Sequence, residues 1–193
     1  MNWQILLNPF TKFSEKTLFF FGLITLFTGS YTAFLCGVTF DSMIEVHLNS
    51  EMTFLNSLKE NSFYLVLITV LLFAFGKIIN KRTRIIDIVN TAFLFRISFY
   101  FMAMLTAFPI LKSVENEIKK NINSLDKLVI KPLDMILLLL ITCVILLLLV
   151  YAFILLFQGF KTATNAKKPI HFIFLGLLLL FAEIISISIL PLI

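Results

Sequence analysis

Two charged residues lie deep inside apolar runs, and they are the residues from which chemistry can be argued. Arg96 interrupts a run that extends from Ile85 to Leu111, and Glu183 interrupts the last apolar run of the chain. A charge in the middle of a membrane span is costly and faces a partner, a cavity or water. Because arginine stays protonated at any accessible pH, Arg96 must meet an anion, backbone carbonyls or water.

The positions of Arg96 and Glu183 suggest that they meet. If the spans alternate in direction, the two residues lie about eleven and about fourteen residues from the same membrane surface. At roughly 1.5 Å per residue their depths differ by about 4–5 Å, which an arginine side chain can bridge. The sequence predicts an intramembrane ion pair between Arg96 and Glu183 that joins the third and fifth spans. A proton or ion relay through the same two residues is the alternative interpretation.

A second group of charges forms a basic loop after the second apolar run, and we predict that it faces the cytoplasm. Its members are Lys77, Lys81, Arg82 and Arg84. The formal charge of +5 comes largely from such residues at the ends of spans, where anionic lipid headgroups lie, so lipids rather than nucleic acid are the expected partners. The sequence contains no phosphate loop, metal-ligand cluster or nucleophile motif. We therefore predict no catalytic, cofactor-binding or metal site, and a protein that is not an enzyme.

The elements that must position these charges are membrane-spanning helices. The chain is 60% hydrophobic and only 14% charged, whereas a soluble domain carries about a quarter charged residues. Apolar runs of roughly 17–25 residues suffice to cross the hydrocarbon core, and helices satisfy their backbone groups there. The sequence predicts an all-α polytopic protein, a single membrane domain over 1–193. Its five spans are predicted at about 17–40, 61–79, 85–111, 133–160 and 169–193.

The remaining segments are predicted to lie at the membrane surface. Residues 1–16 mix apolar and polar types, with Trp3 at headgroup level. Residues 41–60 are polar, but four apolar residues recur at helical spacing and predict a partly helical surface segment: Ile44, Leu48, Leu55 and Leu58. Residues 112–131 carry one apolar face, which predicts an amphipathic helix: Val114, Ile118, Ile122, Leu125 and Val129.

The distribution of lysine and arginine predicts the orientation. Five spans put the two ends of the chain on opposite sides. The N-terminal side carries Lys12, Lys16, Lys77, Lys81, Arg82, Arg84, Lys161, Lys167 and Lys168. The other side carries Lys59, Lys112, Lys119, Lys120, Lys127 and Lys131. Positive residues favour the cytoplasm, so we predict a bacterial cytoplasmic membrane protein with its N-terminus inside and its C-terminus outside.

The layout resembles the Yip domain family, named for Ypt/Rab-interacting proteins, and in particular its bacterial five-span members. The likeness rests on Trp3 followed by NPFTKF at 8–13, on a third span that ends in Phe108-Pro109, and on YAFILLFQGFK at 151–161 followed by NAKK at 165–168. Eukaryotic relatives act in membrane traffic with small GTPases through a long N-terminal region. Only about sixteen residues precede the first span here, so the GTPase role is not carried over.

The resemblance and the apolar spans together predict a non-enzymatic organising or accessory protein. Its expected partners are membrane lipids, including anionic headgroups, and a membrane protein or a second copy of the chain. The alternative is a small transporter or channel that uses Arg96 and Glu183. Transporters commonly show internal repeats with interrupted helices in matching halves, and the interior Gly and Pro residues do not pair between halves in this chain.

Overall fold

The computed structural model describes residues 3–49, 51–120 and 131–189, and helices make up most of them. Five helices are long and apolar enough to cross a membrane, so the predicted all-α polytopic fold is confirmed. The helices are α1 (Trp3–Leu7), α2 (Glu15–Cys36), α3 (Phe54–Ile79), α4 (Ile85–Thr106), α5 (Pro109–Lys120), α6 (Pro132–Thr164) and α7 (Pro169–Ile189). Two short strands, β1 (Val38–Thr39) and β2 (His47–Leu48), pair in antiparallel fashion between α2 and α3.

Local capping explains where several helices begin and end. The Ser14 side chain accepts a hydrogen bond from the Thr17 N–H and starts α2, and Thr53 starts α3 in the same way through the Asn56 N–H. These bonds satisfy amide groups that have no partner inside the helix. At its other end α2 stops at Gly37, whose φ of 61° and ψ of 50° lie in the left-handed region that glycine adopts without strain.

Helix α4 is the centre of the bundle. In its most apolar stretch 72% of the residues are buried, against 6% in that of α6. It contacts α2, α3 and α6, while α7 packs mainly against α3. The residue that carries the central charge, Arg96, therefore lies on the helix that is most completely surrounded by protein.

The loops at the N-terminal end of the bundle meet at one face, which we call the N-terminal face (residues 8–16, 80–84 and 159–168). The Asn80 side chain donates to the Thr164 carbonyl at 3.2 Å, and Arg84 forms an ion pair with Glu15. Strand pairing and α5 lie at the opposite end. This grouping follows from five helices that alternate in direction, and it brings the predicted basic loop beside the first span.

Several element boundaries differ from the sequence predictions. Helix α3 begins at Phe54 rather than at 61, and the third span ends at Thr106, so that Pro109 begins α5 instead of lying inside the span. The helix expected from the spacing of apolar residues between 44 and 58 is wrong in its first half, where the chain forms the loop that carries β2. Helix α5 covers the first part of the predicted amphipathic segment, and the prediction for 121–130 lies outside the described residues.

Candidate functional site

The side chain of Arg96 is the largest fully buried side chain in the described part of the chain, with an exposure of 0%. It projects from the middle of α4. Four aromatic rings surround its guanidinium carbon, with ring centroids at 4.7 Å (Phe40), 5.0 Å (Phe99), 5.2 Å (Tyr64) and 5.9 Å (Tyr100). We call these four rings the aromatic cage. Each ring face attracts the cation and helps to replace the water that it has lost.

Two oxygen atoms accept hydrogen bonds from Arg96, while its Nε has no hydrogen-bond partner among the described residues. One terminal nitrogen donates to the Met43 carbonyl at 2.8 Å, and the other donates to the Asn61 side-chain oxygen at 2.7 Å. Both acceptors are neutral. The positive charge is therefore stabilised by the dipoles of these two acceptors and by the ring faces. The two hydrogen bonds are charge-assisted, which makes them stronger than hydrogen bonds between neutral groups.

Asn61 is held in place by a buried polar network between α2 and α3. Its side-chain nitrogen donates to the Ser30 hydroxyl at 3.1 Å and to the Ser57 carbonyl at 2.9 Å. Ser57 in turn donates to the Ser30 carbonyl at 3.0 Å. Because the amide nitrogen is used in this way, the amide oxygen is directed towards Arg96.

Met43 belongs to the α2–α3 loop (residues 37–53), part of which is buried inside the bundle. Phe40, Ser42 and Met43 are each 0% exposed, although they are not helical. Glu60 accepts hydrogen bonds from the Thr39 hydroxyl at 3.0 Å and from the Phe40 N–H at 3.2 Å. Irregular backbone is tolerated at membrane depth only when protein surrounds it and satisfies its polar groups, and these bonds do so.

Tyr64 has two roles at this site. Its hydroxyl donates to the Phe40 carbonyl at 2.6 Å, while its ring forms part of the aromatic cage. The loop and the cage are therefore one structure, since moving the loop would displace both a ring and an acceptor of Arg96.

Glu183 contacts the same loop from the other side. It accepts a hydrogen bond from the Ser42 hydroxyl, and one turn further along α7 the Ser186 hydroxyl accepts from the Met43 N–H at 3.2 Å. Within the described residues, Arg96 and Glu183 form no direct ion pair. The predicted direct pair is corrected: one oxygen of Glu183 accepts from Ser42 and one terminal nitrogen of Arg96 donates to Met43, so each side chain contacts the α2–α3 loop instead of the other side chain.

The sequence carried a signal for the partners that were missed. Arg96, Phe99 and Tyr100 are spaced by three and four residues, so they share one face of α4. Asn61 and Tyr64 are spaced by three residues on α3. Two faces of this composition, rich in aromatic rings and containing one amide, indicate a site that can hold a cation. The loop carbonyl of Met43 has no such signal, because any residue supplies a carbonyl.

The predicted basic loop is divided between different contacts. The Lys77 ammonium donates to the Lys81 carbonyl at 2.9 Å and lies over the Phe73 ring. The Arg84 guanidinium pairs with Glu15 and, at 3.0 Å, with Asp87. The hydrogen bonds that Arg84 donates to Glu15 and then to Asp87 raise the pKa of Arg84. Among the described residues, no three His, Cys, Asp or Glu side chains are grouped so as to hold a metal ion.

The fold and the buried site define a class: this is an integral membrane protein of the polytopic α-helical type, with a caged arginine at its centre. No family model matches the chain, and no curated protein or solved structure matches it either.

Proposed function

We propose that the chain is a non-enzymatic, Yip-like membrane protein that organises or assists another membrane protein, which it binds through α6. The observation that carries this proposal is the bare surface of the first half of α6. From Pro132 to Val150 the helix has no buried residue, and many of its side chains are more than half exposed, such as Leu139 at 62% and Leu147 at 69%.

The length of α6 favours a partner helix over lipid alone. The helix has 33 residues, and its stretch without charged residues, from Met135 to Phe160, is about 39 Å long, whereas the hydrocarbon core is about 30 Å thick. Hydrophobic stretches that exceed the bilayer thickness tilt, kink or distort the bilayer, and the cost favours some association between helices. A second helix along the first half of α6 would reduce the apolar surface that the bilayer must accommodate.

The buried site supports a structural role over transport. A transport site has to exchange its contents with water on both sides, but the Arg96 guanidinium is enclosed by the aromatic cage and bonded to Met43 and Asn61. We propose that the caged arginine fixes α3, α4 and the α2–α3 loop together. This rigid unit would then support α6 as a binding surface.

Orientation is part of the proposal. The excess of lysine and arginine on the N-terminal face supports a cytoplasmic location for that face in a bacterial membrane. A reporter that is active only in the cytoplasm, fused after Ile193, is expected to be inactive, and activity there would reverse the orientation.

Position 143 provides a direct test of the α6 surface. Cys143 is exposed on the first half of α6. Maleimides react with the thiolate, which does not form in the hydrocarbon core, so the reactive group is the photoreactive amino acid p-benzoylphenylalanine in place of Cys143. Ultraviolet light is expected to link it to a partner protein in native membranes. Mass spectrometry of the product would show whether the partner is a different protein or a second copy of this chain.

A matched control moves the reactive group to another lipid-facing helix. The same photoreactive amino acid at position 24 places it on α2, where Ile24 is 60% exposed. We expect product from position 143 and not from position 24. Equal products from both positions would refute the proposed surface. No product from either, combined with substrate-dependent flux in proteoliposomes, would favour the transporter or channel function instead.

A further inference from the structure

A charged cavity opens at the N-terminal face between α2, α4 and α6. Its volume is about 490 Å³, and its lining includes two acidic and two basic side chains: Glu15, Lys16, Arg84 and Asp87. The cavity lies where α2 and α4 begin, at Glu15 and Ile85, so it is at the level at which the two spans enter the bilayer. Lipid headgroups occupy this level.

An apolar cavity adjoins the charged one. It has a volume of about 290 Å³, and it shares Phe13 and Leu18 with the charged cavity. Phe21 and Leu94 line it further along α2 and α4. Leu94 is about nine residues into α4, which corresponds to about 14 Å, close to half the thickness of the hydrocarbon core. The two cavities therefore follow the order of polarity of one lipid molecule in one leaflet, and the apolar cavity has room for part of an acyl chain, so that the rest of the lipid would lie against the bilayer.

Three of the four charged side chains around the cavity contact one another. Arg84 donates from Nε and from a terminal nitrogen to the two oxygens of Asp87, both at 3.0 Å, and it also pairs with Glu15. Asn90, which is 2% exposed, donates to the Glu15 carbonyl at 3.1 Å. Because these side chains already contact one another, binding of a ligand would cost little entropy for ordering them.

We propose that these joined cavities bind one glycerophospholipid whose headgroup carries a primary ammonium group. The lining carries two negative and two positive side chains, which match a headgroup that contains one ammonium and one phosphate. Lys16 and Arg84 are placed for the phosphate, and Glu15 and Asp87 are placed to accept hydrogen bonds from the ammonium. Phosphatidylglycerol would also place its phosphate beside Lys16 and Arg84, but its glycerol group would give Glu15 and Asp87 no positively charged partner.

This inference goes beyond the proposed partner function. It depends on the bilayer position of α2 and α4 and not on what binds α6. A failed cross-linking experiment would therefore overturn only the partner surface, and a failed lipid experiment would overturn only the lipid site. It also names a lipid class that differs from the anionic headgroups expected from the sequence.

Native mass spectrometry of the wild-type protein tests the headgroup. The protein would be delipidated in detergent and mixed with equal amounts of phosphatidylethanolamine, phosphatidylcholine and phosphatidylglycerol that carry identical acyl chains. A single bound phosphatidylethanolamine is expected to be retained about tenfold better than the others, because a charge-assisted hydrogen bond contributes about 1.5 kcal/mol or more. The choline headgroup lacks N–H donors, and the glycerol headgroup lacks the positive charge. Equal retention of the three lipids would refute the proposal without any variant.

Two pairs of variants test the position of the lipid. Thr17 lines the apolar cavity, and Thr17→Trp is expected to fill it and reduce lipid retention, whereas Thr142→Trp on the exposed side of α6 should not. Asp87→Asn should remove the preference for the ammonium headgroup, whereas Asp134→Asn at the start of α6 should keep it. Equal loss in both members of either pair would show that the lipid does not bind in these cavities.

Discussion

The bond between Arg96 and Asn61 gives the sharpest test of the buried site. The nitrogen and oxygen atoms are 2.7 Å apart, and both residues are 0% exposed. A charge-assisted bond contributes about 1.5–3 kcal/mol in a protein interior, but bonds between membrane helices rarely exceed about 1.7 kcal/mol. We therefore expect a coupling free energy of about 1–2 kcal/mol between the two positions. Arg96→Met and Asn61→Leu would each destabilise the protein, and the double variant would lose less than the sum.

The measurement is the free energy of unfolding in mixed micelles titrated with a denaturing detergent, for the wild type, both single variants and the double variant. A matched cycle combines Arg96→Met with Glu183→Gln. Because Arg96 and Glu183 contact neighbouring residues of the α2–α3 loop and not one another, the expected coupling is indirect and smaller than that between Arg96 and Asn61. Additive losses for Arg96 and Asn61, together with strong coupling between Arg96 and Glu183, would overturn the description of the site and restore the direct ion pair.

Two further substitutions test the surroundings of the cage by the same unfolding measurement. A Cβ atom at Gly29 would overlap the Tyr100 ring, so Gly29→Ala should lower the free energy of unfolding by about 1–3 kcal/mol, while Gly176→Ala, which meets nothing within 4 Å, should leave it nearly unchanged. Equal effects at the two glycines would contradict this packing. Tyr64→Phe keeps the ring but removes the 2.6 Å bond to the loop carbonyl and should cost about 1–2 kcal/mol, whereas Tyr31→Phe on an exposed ring should cost little. A Tyr64 loss no larger than that of Tyr31 would mean that this bond does not hold the loop.

The helical spans could be read from the sequence because hydrophobic runs of this length have one stable form in a bilayer. Their ends were harder to place. Helix α3 begins at Phe54 because Ser57, Glu60 and Asn61 form hydrogen bonds to other elements inside the protein, whereas the sequence shows only polar residues that interrupt an apolar run. A polar residue at the end of a span can be solvated or buried with a partner, and composition alone does not separate the two.

The site was predictable in part. Arg96 and Glu183 stand out in the sequence because charges are rare inside spans. Their hydrogen-bond partners could not be predicted from their depths in the membrane. Depth locates a side chain along the membrane normal, but it does not identify the backbone segment that lies beside that side chain. Residues 41–60 were interpreted as a surface segment because they are polar, yet Met43 within them is fully buried.

The position of the cage along the chain has a consequence for biogenesis. Every partner of Arg96 described above lies between Phe40 and Tyr100, and the bond to Met43 joins residues 53 positions apart, whereas the contact of Ser42 with Glu183 joins residues 141 positions apart. The first three spans and the α2–α3 loop therefore contain every group described above as a contact of the guanidinium. A nascent chain can shield this charge from lipid while α6 and α7 are still being synthesised, and the last span then fastens a loop that is already in place.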